Sequence, residues 1–341
     1  MTLTDSLTIK HPIIQAPMAG VTTPEFVAAA AEAGILGSIG AGYLSEEATR
    51  EFIREVKKLT DKPFAVNLFV PENVEMDQEL MRKAYLGLQP IGKKLGMPFW
   101  RAPLSESSFD AQIDLLVEEG VKICSFTFGL PDEAVIQKLK KHNIYLIGTA
   151  TTVEEAVMVE NVGMDAVVAQ GKEAGGHRGS FLSEKFVPLD ELLSSIVEAI
   201  GIPVIAAGGI ANKEQLEQQI SRGAAAVQIG TALLATEESG AHPLYKEAVL
   251  ASTANCTVLT KAFSGKPARG IRNQFIDLMQ GIPIAPYPYQ NDLTKKVRSE
   301  AAVKSRPEFM SLWAGERVHE TVGGTVKEIV EKFIGKKHAL D

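Results

Sequence analysis

Four side-chain amides interrupt runs that are otherwise apolar: Gln15 in PIIQAPM, Asn67 in PFAVNLFV, Gln170 in AVVAQG and Gln228 in AVQIGTALL. A buried amide without a partner costs about 1–3 kcal/mol, so a buried strand carries one for a reason. Either these amides bond to one another, to water or to loop backbone, or they meet a ligand whose edge alternates donors and acceptors, as the pyrimidine edge of a flavin does. Just past Gln170, the glycine-rich stretch GKEAGGHRGSF (171–181) carries one histidine, His177. An imidazole, with its ordinary pKa of about 6.5, suits proton transfer or stabilisation of an anion. The ordinary alternative is a surface histidine on a mobile loop. Its place after a strand amide favours chemistry, with Gly171, Gly175, Gly176 and Gly179 letting the backbone fold over a flat ligand. Arg178 and Lys172 read as solvated loop charges.

A second feature is a place for phosphate. AAGGI (206–210) ends one apolar run and feeds a helix capped at Asn212, and QIGT (228–231) ends the next. Backbone N–H groups of Gly208, Gly209 and Gly230 can approach phosphate oxygens without a Cβ in the way, and Thr231 adds a hydroxyl. The alternative is that the glycine pair permits only a tight turn. The sequence has no GxGxxG after a strand, no GxxxxGK[ST], no GxSxG and no HExxH. Histidines 11, 142, 177, 242, 319 and 338 lack metal-ligand spacing, so no metal is expected.

Chemistry of this kind needs a scaffold that brings distant strand ends together. Eight short apolar runs, at 12–18, 36–42, 63–70, 122–129, 144–150, 166–171, 203–210 and 226–234, alternate with amphipathic segments such as SEEATREFIREVKKL. Pro24 at a first helical position, Ser45 and Asn212 as N-caps, and Gly34, Gly163 and Gly223 after helix ends punctuate them; Asn212 and Gln215 resemble a capping box. Strands buried on both faces and joined by helices pair in parallel. The pattern predicts a (β/α)8 TIM barrel with a smaller, mostly helical cap, an open doubly wound sheet being the rival. The barrel is placed at 1–250, the cap at 251–320, and a C-terminal helix at 321–341 is expected to pack back on the barrel. Residues 71–121 add helical material between the third and fourth strands.

Composition narrows the function classes. The chain has 341 residues, 45% hydrophobic and 23% charged, with a net charge of −7, which disfavours nucleic acid or an anionic membrane as partner. MTLTDSLTIK lacks the basic and apolar regions of a secretory signal, and the apolar runs fall short of the roughly 18–20 residues that cross a bilayer. With two cysteines, Cys124 and Cys256, the chain reads as cytoplasmic.

The segments QAPMAGVTTPEFVAAAAEAGILGSIGAGYL, AQGKEAGGHRGSF, PVIAAGGI and AVQIGTALL together resemble the FMN-dependent nitronate monooxygenases, once called 2-nitropropane dioxygenases. SFTFGLP (125–131) and KAFSGKPARGIRNQF (261–275) extend the resemblance toward the cap. It implies noncovalent FMN in the barrel mouth and His177 as the catalytic residue. Ala16, Pro17, Met18, Asn67, Gln170, Gly175, Gly208, Gly209, Gln228, Gly230 and Thr231 would contact the cofactor. Arg269, Tyr287 and Tyr289 are the candidates for a substrate pocket, although tyrosines in a proline-rich turn more often pack. The implied activity is oxidative denitrification, a detoxification: an alkyl nitronate, propionate 3-nitronate by default, reacts with O2 to give a carbonyl compound and nitrite. A flavin-type enoyl-acyl-carrier-protein reductase or NAD(P)H:quinone reductase is the alternative enzyme. Phe126 and Phe128 are read against it, as rings narrowing the pocket. A flavin-binding protein without turnover is the third reading. The physiological nitronate, the use of neutral nitroalkanes and the oligomeric state stay open, with a homodimer as the candidate assembly.

Overall fold

The computed structural model describes residues 2–335 apart from 73, 98 and 106. Residues 336–341 of the expected C-terminal helix, with His338, lie outside the described residues. In chain order the strands are β1 (Ile13–Gln15), β2 (Gly37–Gly40), β3 (Phe64–Phe69), β4 (Ile123–Thr127), β5 (Tyr145–Ala150), β6 (Ala166–Gln170), β7 (Gly176–His177), β8 (Val204–Ala207), β9 (Ala226–Ile229), β10 (Thr257–Thr260) and β11 (Ala268–Ile271). All but β7, β10 and β11 form one parallel sheet in the order β1-β9-β8-β6-β5-β4-β3-β2, whose ends meet through the parallel bridge Ile14–Leu36. This is the expected (β/α)8 TIM barrel, its strands alternating with helices along the chain.

Two layers of apolar contact hold it, and the period-2 alternation of a strand decides which residue serves which. Ile14, Ala65, Ile123, Ile147, Val168, Ile205 and Ala226 fill the barrel interior, together with Leu3 and Leu7 of the helix Leu3–Leu7. Residues of the opposite phase, Ile13, Val66, Cys124, Leu146, Val167 and Val227, pack under the surrounding helices. Those helices start where the sequence places caps: Thr23, Ser45 and Asn212 accept hydrogen bonds from the N–H groups of Phe26, Ala48 and Gln215 at 3.1–3.2 Å. The Gln215 side chain bonds the N–H of Ala211 at 2.6 Å, one residue before the Asn212 partner that a capping box would use. Val326, Ile329, Val330 and Phe333 of the helix Val326–Ile334 belong to the outer barrel layer.

A second apolar core lies beside the barrel. It combines Leu88, Ile91 and Leu95 from around the helix Gln78–Lys94 with Phe263, Phe275, Leu293 and Val297 from far later in the chain. This second core therefore draws on two separated stretches of the chain, and the elements around it are not purely helical. β10 and β11 form an antiparallel pair, and β7, which carries His177, is the third strand of that sheet.

Phase also separates the four strand amides. Gln15 stands between the inward residues Ile14 and Ala16, on the outer face, and is fully buried. Its Nε2 donates to the carbonyls of Ala16 at 2.8 Å and Ser38 at 3.3 Å, and its Oε1 accepts from the Ser38 N–H at 3.0 Å. The amide thus serves as a rung across the β1–β2 seam. Replacing Gln15 by leucine should lower the unfolding free energy by about 1–3 kcal/mol, because the Ser38 backbone groups lose their partners. Denaturant unfolding checks this; a change below about 0.5 kcal/mol would show an idle rung.

Candidate active site

The inward rows turn polar as they reach the C-terminal ends of the strands. Past Ala65 comes Asn67; past Ile123 come Ser125 and Thr127; past Ile147 comes Thr149; past Val168 comes Gln170; and past Ala226 comes Gln228. All of these line one cavity of about 920 Å³, at the end where barrel sites assemble. Ala16, Pro17 and Met18 line it from the end of β1, and Gly175, Gly176 and His177 from the loop after β6. Gly208, Gly209, Gly230 and Thr231 line it from the ends of β8 and β9. Ser125, Thr127 and Thr149 escaped attention in the sequence, though the phase that fixes Asn67 and Gln170 fixes them too. Asn67 Nδ2 donates to the hydroxyls of Ser125 at 3.0 Å and Thr127 at 3.1 Å, so the polar row is knit across two strands.

The glycine-rich loop is held at every step. Gln170 Nε2 donates to the His177 carbonyl at 3.0 Å, and its Oε1 accepts the Gly179 N–H at 2.8 Å. Although Gln170 faces the cavity, its amide is committed to the loop. Arg178 is 1% exposed, not solvated as its sequence context suggests. Its guanidinium donates to the carbonyl of Gln170 at 2.7 Å and to that of Gly171, while its N–H donates to the Pro267 carbonyl at 2.8 Å. Farther along, the fully buried Glu155 carboxylate accepts the N–H groups of Phe181 at 2.7 Å and Leu182 at 2.9 Å, and on its other oxygen the N–H and the hydroxyl of Thr151 at 2.6 and 2.8 Å. His177 is therefore carried by a fastened strand rather than a mobile loop.

The imidazole Nε2 lies 2.8 Å from Ser264 Oγ, with Phe128 edge-on at 5.7 Å and Trp313 at 5.4 Å between ring centroids. Phe128 adopts the left-handed backbone at φ 76°, rare for a bulky residue, directly against this ring. The ring is half-buried and opens on the cavity, yet the enclosing protein pushes its pKa down to about 3. Burial is the main cause, and the Arg298 and Lys266 cations add to it. Tyr43, 38% exposed and open to the cavity, still has its phenol pushed up to about 12, mainly by the protein enclosing the ring. At neutral pH the site thus offers an uncharged imidazole able to accept a proton, beside an un-ionised phenol. Lys295, Arg298 and Arg317 also line the cavity, and no aspartate or glutamate is among its described lining residues. Nothing in their local sequence marked these three. They come from the cap side, and only the fold aims them here.

Other expectations fall differently. Arg269 is 7% exposed, donates from Nε to the Lys172 carbonyl at 3.0 Å and pairs with Glu316 at 2.8 Å, so it ties the loop to the cap and does not line this cavity. Tyr289 donates to the Val74 carbonyl at 2.8 Å, and Tyr287 packs on Phe128 at 5.2 Å; neither lines the cavity. Tyr287 comes nearest, through its hydroxyl contact with Tyr43. Phe126 has the outward phase and meets Phe109 at 6.2 Å under a helix, so it does not narrow the pocket; Phe128 alone stands by the imidazole. Among the described residues no cluster of ligands could hold a metal.

Comparison with known proteins gives a consistent picture. A family model described as nitronate monooxygenase matches residues 1–335. Proteins named probable nitronate monooxygenase are similar: one from Staphylococcus haemolyticus at 43% identity, covering 99% of this chain and 97% of that one, and one from Staphylococcus saprophyticus at 46%, covering 92% and 91%. Among solved structures, a nitroalkane oxidase from Streptomyces ansochromogenes superposes with a TM-score of 0.92 at 36% identity, covering 98% and 97%. FabK from Thermotoga maritima does so with a TM-score of 0.79 at 32% identity, covering 98% and 96%.

Two measurements test the site. Arg178→Met removes the guanidinium donor from two carbonyls at the barrel mouth and leaves that of Gly171 only the Ala174 N–H at 3.1 Å. It should cost at least about 2 kcal/mol and speed amide exchange across residues 171–181. Exchange at the wild-type rate would mean that the β7–β11 pairing alone holds the loop. Second, NMR titration of His177 should find no protonation between about pH 8 and pH 5. Because its folded pKa of about 3 lies below the ordinary 6.5, His177 leaves stability untouched above pH 6.5 and subtracts from it as the pH falls toward 3. A midpoint near 6.5 would contradict the buried, cation-flanked environment.

Proposed function

The chain belongs to the nitronate monooxygenase family, and from that premise we propose that it binds FMN at the barrel mouth and uses it to oxidise alkyl nitronates with O2, releasing a carbonyl compound and nitrite. The observation that carries the reading is the convergence on one cavity of a neutral imidazole, a polar strand-end row and a glycine cradle suited to phosphate. The residues fit such a cofactor. Gly208 and Gly209 hold left-handed backbone at φ 114° and 67°, and a Cβ on Gly208 would come within 2.9 Å of the Ala174 nitrogen. Among the described residues their N–H groups donate to no other group. They can serve phosphate oxygens together with Gly230 and Thr231, whose Oγ1 accepts from the Gly315 N–H at 3.0 Å and keeps its own proton to donate. Arg317 adds a cation beside Gly209. The Asn67 side-chain oxygen and Gln228 would meet a polar ring edge, Gly175 and the backbone of Ala16 to Met18 would line the cofactor, and Gln170 would hold the loop that carries His177.

FMN, when bound, would supply the electron acceptance from substrate and the reaction with O2. The chain's own contribution is position and charge. His177, kept neutral, would donate a hydrogen bond to a nitronate from one ring nitrogen, or in its other tautomer take the α-proton of a nitroalkane there, the nitronate so formed offsetting the charge the ring gains; Ser264 orients the ring. The strand ends and the fastened loop fix substrate and cofactor in one geometry and restrict water. Propionate 3-nitronate is the first substrate to try, with a detoxifying role as the corollary.

Protein loaded with FMN and mixed in air with propionate 3-nitronate should consume O2 and release nitrite, with no loss of NADPH in a parallel tube holding an enoyl thioester or a quinone. NADPH loss without nitrite would move the assignment to the reductases. His177→Ala should keep its yellow colour while turnover falls by roughly 10²–10⁴-fold. Nitrite release at the wild-type rate would remove the imidazole from the mechanism.

A further inference from the structure

The cations around the cavity differ in how their charge is answered. Lys266 pairs with Glu72 at 2.5 Å and Arg317 with Glu320 at 2.9 Å, while Lys295 is exposed on its helix. Arg298, on the helix Tyr289–Val303, is different. It is half-buried, lines the cavity and has no ion-pair partner among the described residues. Its Nη2 donates to the carbonyl and the side-chain oxygen of Asn291 at 3.1 and 2.7 Å, and its Nε is buried without a partner. The charge of Asp292 reaches Arg298 from a distance, but that carboxylate already accepts the Ser105 N–H at 2.8 Å and hydroxyl at 2.9 Å. A guanidinium drawn from water with its donors half used is costly, and such a group persists where an anion completes it. Arg298 also lies near enough to the imidazole for its charge to disfavour protonation there. Cation and neutral imidazole thus face one space that contains no described carboxylate.

We propose that Arg298 determines specificity for the anionic form of the substrate, receiving the O–N–O edge of a nitronate beside His177 and giving no comparable hold on the neutral nitroalkane. Its Nη1 is the nitrogen left to the cavity, and it presents two N–H donors in the rigid plane of the guanidinium, where a lysine ammonium would offer only a mobile point charge. Asn291 holds Nη2 and Nε is buried, so Nη1, which has no partner among the described residues, is the arm available to an anion in the cavity that Arg298 lines. The inference deepens the nitronate reading and rests on it for the identity of the anion.

The test compares Arg298→Gln and Arg298→Lys with the wild type, using propyl-1-nitronate and 1-nitropropane as the two protonation states of one skeleton. For Arg298→Gln the KM for the nitronate should rise at least about 20-fold with kcat within about threefold, while the KM for the nitroalkane moves less than about twofold. Arg298→Lys should recover part of the loss. A parallel titration needs no turnover: nitrate, a planar anion, is followed through the fluorescence of cavity-lining Trp313 and the absorbance of bound FMN. Its dissociation constant should rise in Arg298→Gln by about the same factor as the nitronate KM. Equal losses on both substrates, or unchanged nitrate affinity, would overturn the role; if Arg298→Gln does not fold, the same comparison in Arg298→Lys decides. Should the wild type release no nitrite from any nitronate, the assigned reaction fails, while the nitrate titration still reports whether Arg298 holds a planar anion.

Discussion

The imidazole at position 177 is placed no better than the short segment that carries it, and that segment is fastened by one buried guanidinium. Arg178 reaches back to the carbonyls of Gln170 and Gly171 at the end of β6, where the parallel ladder runs out. The same stretch is gripped by the Gln170 amide, by pairing of β7 with β11, and beyond Gly179 by the Glu155 carboxylate. A charge is thereby sheltered, a ladder is terminated and a reactive ring is oriented by one set of contacts. Glycine in this loop gives close approach of backbone to neighbours: a Cβ on Gly175 would stand 2.5 Å from the Gly315 nitrogen.

That fastening works because the barrel supplies a rigid rim. Inward residues are apolar in the lower layers and polar in the top one, so a single alternation both packs the core and provisions the site. The outward phase does the opposite. Gln15 closes the weakest seam, and Phe126 packs under a helix. The amides of Gln15 and Gln170, each the last residue of its strand, thus have unrelated duties, and what separates them is one step of the pleat.

The electrostatics follow from placement rather than composition. A chain with seven net negative charges nonetheless lines its cavity with Lys295, Arg298 and Arg317 and with no described carboxylate. Within that field an imidazole stays neutral, a phenol stays protonated, and an arriving anion meets cations of which Arg298 is drawn from water. Pairing by Glu320 and Glu72 tempers two of the cations and leaves Arg298 for the substrate.

Much of this was legible in the residues. Apolar runs of strand length, helix caps and trailing glycines determined the barrel, since each is a local preference that the whole fold agrees with. Strand-end amides, the glycine pair after β8, the GT after β9 and the lone loop histidine located the mouth. Ser125, Thr127 and Thr149 were readable from phase alone. Side-chain commitments across the chain were not. Arg178 looks like any loop cation until its carbonyl partners are in place. Arg269 looks like a pocket residue until Glu316 claims it, and Lys295, Arg298 and Arg317 carry no local mark at all. The sequence by itself determined the elements and the order in which they recur, because those depend on neighbours a few residues apart. Only the tertiary structure decided which polar groups are satisfied and which still face the cavity, because a hydrogen bond or ion pair between residues some hundred positions apart exists only once the barrel has closed.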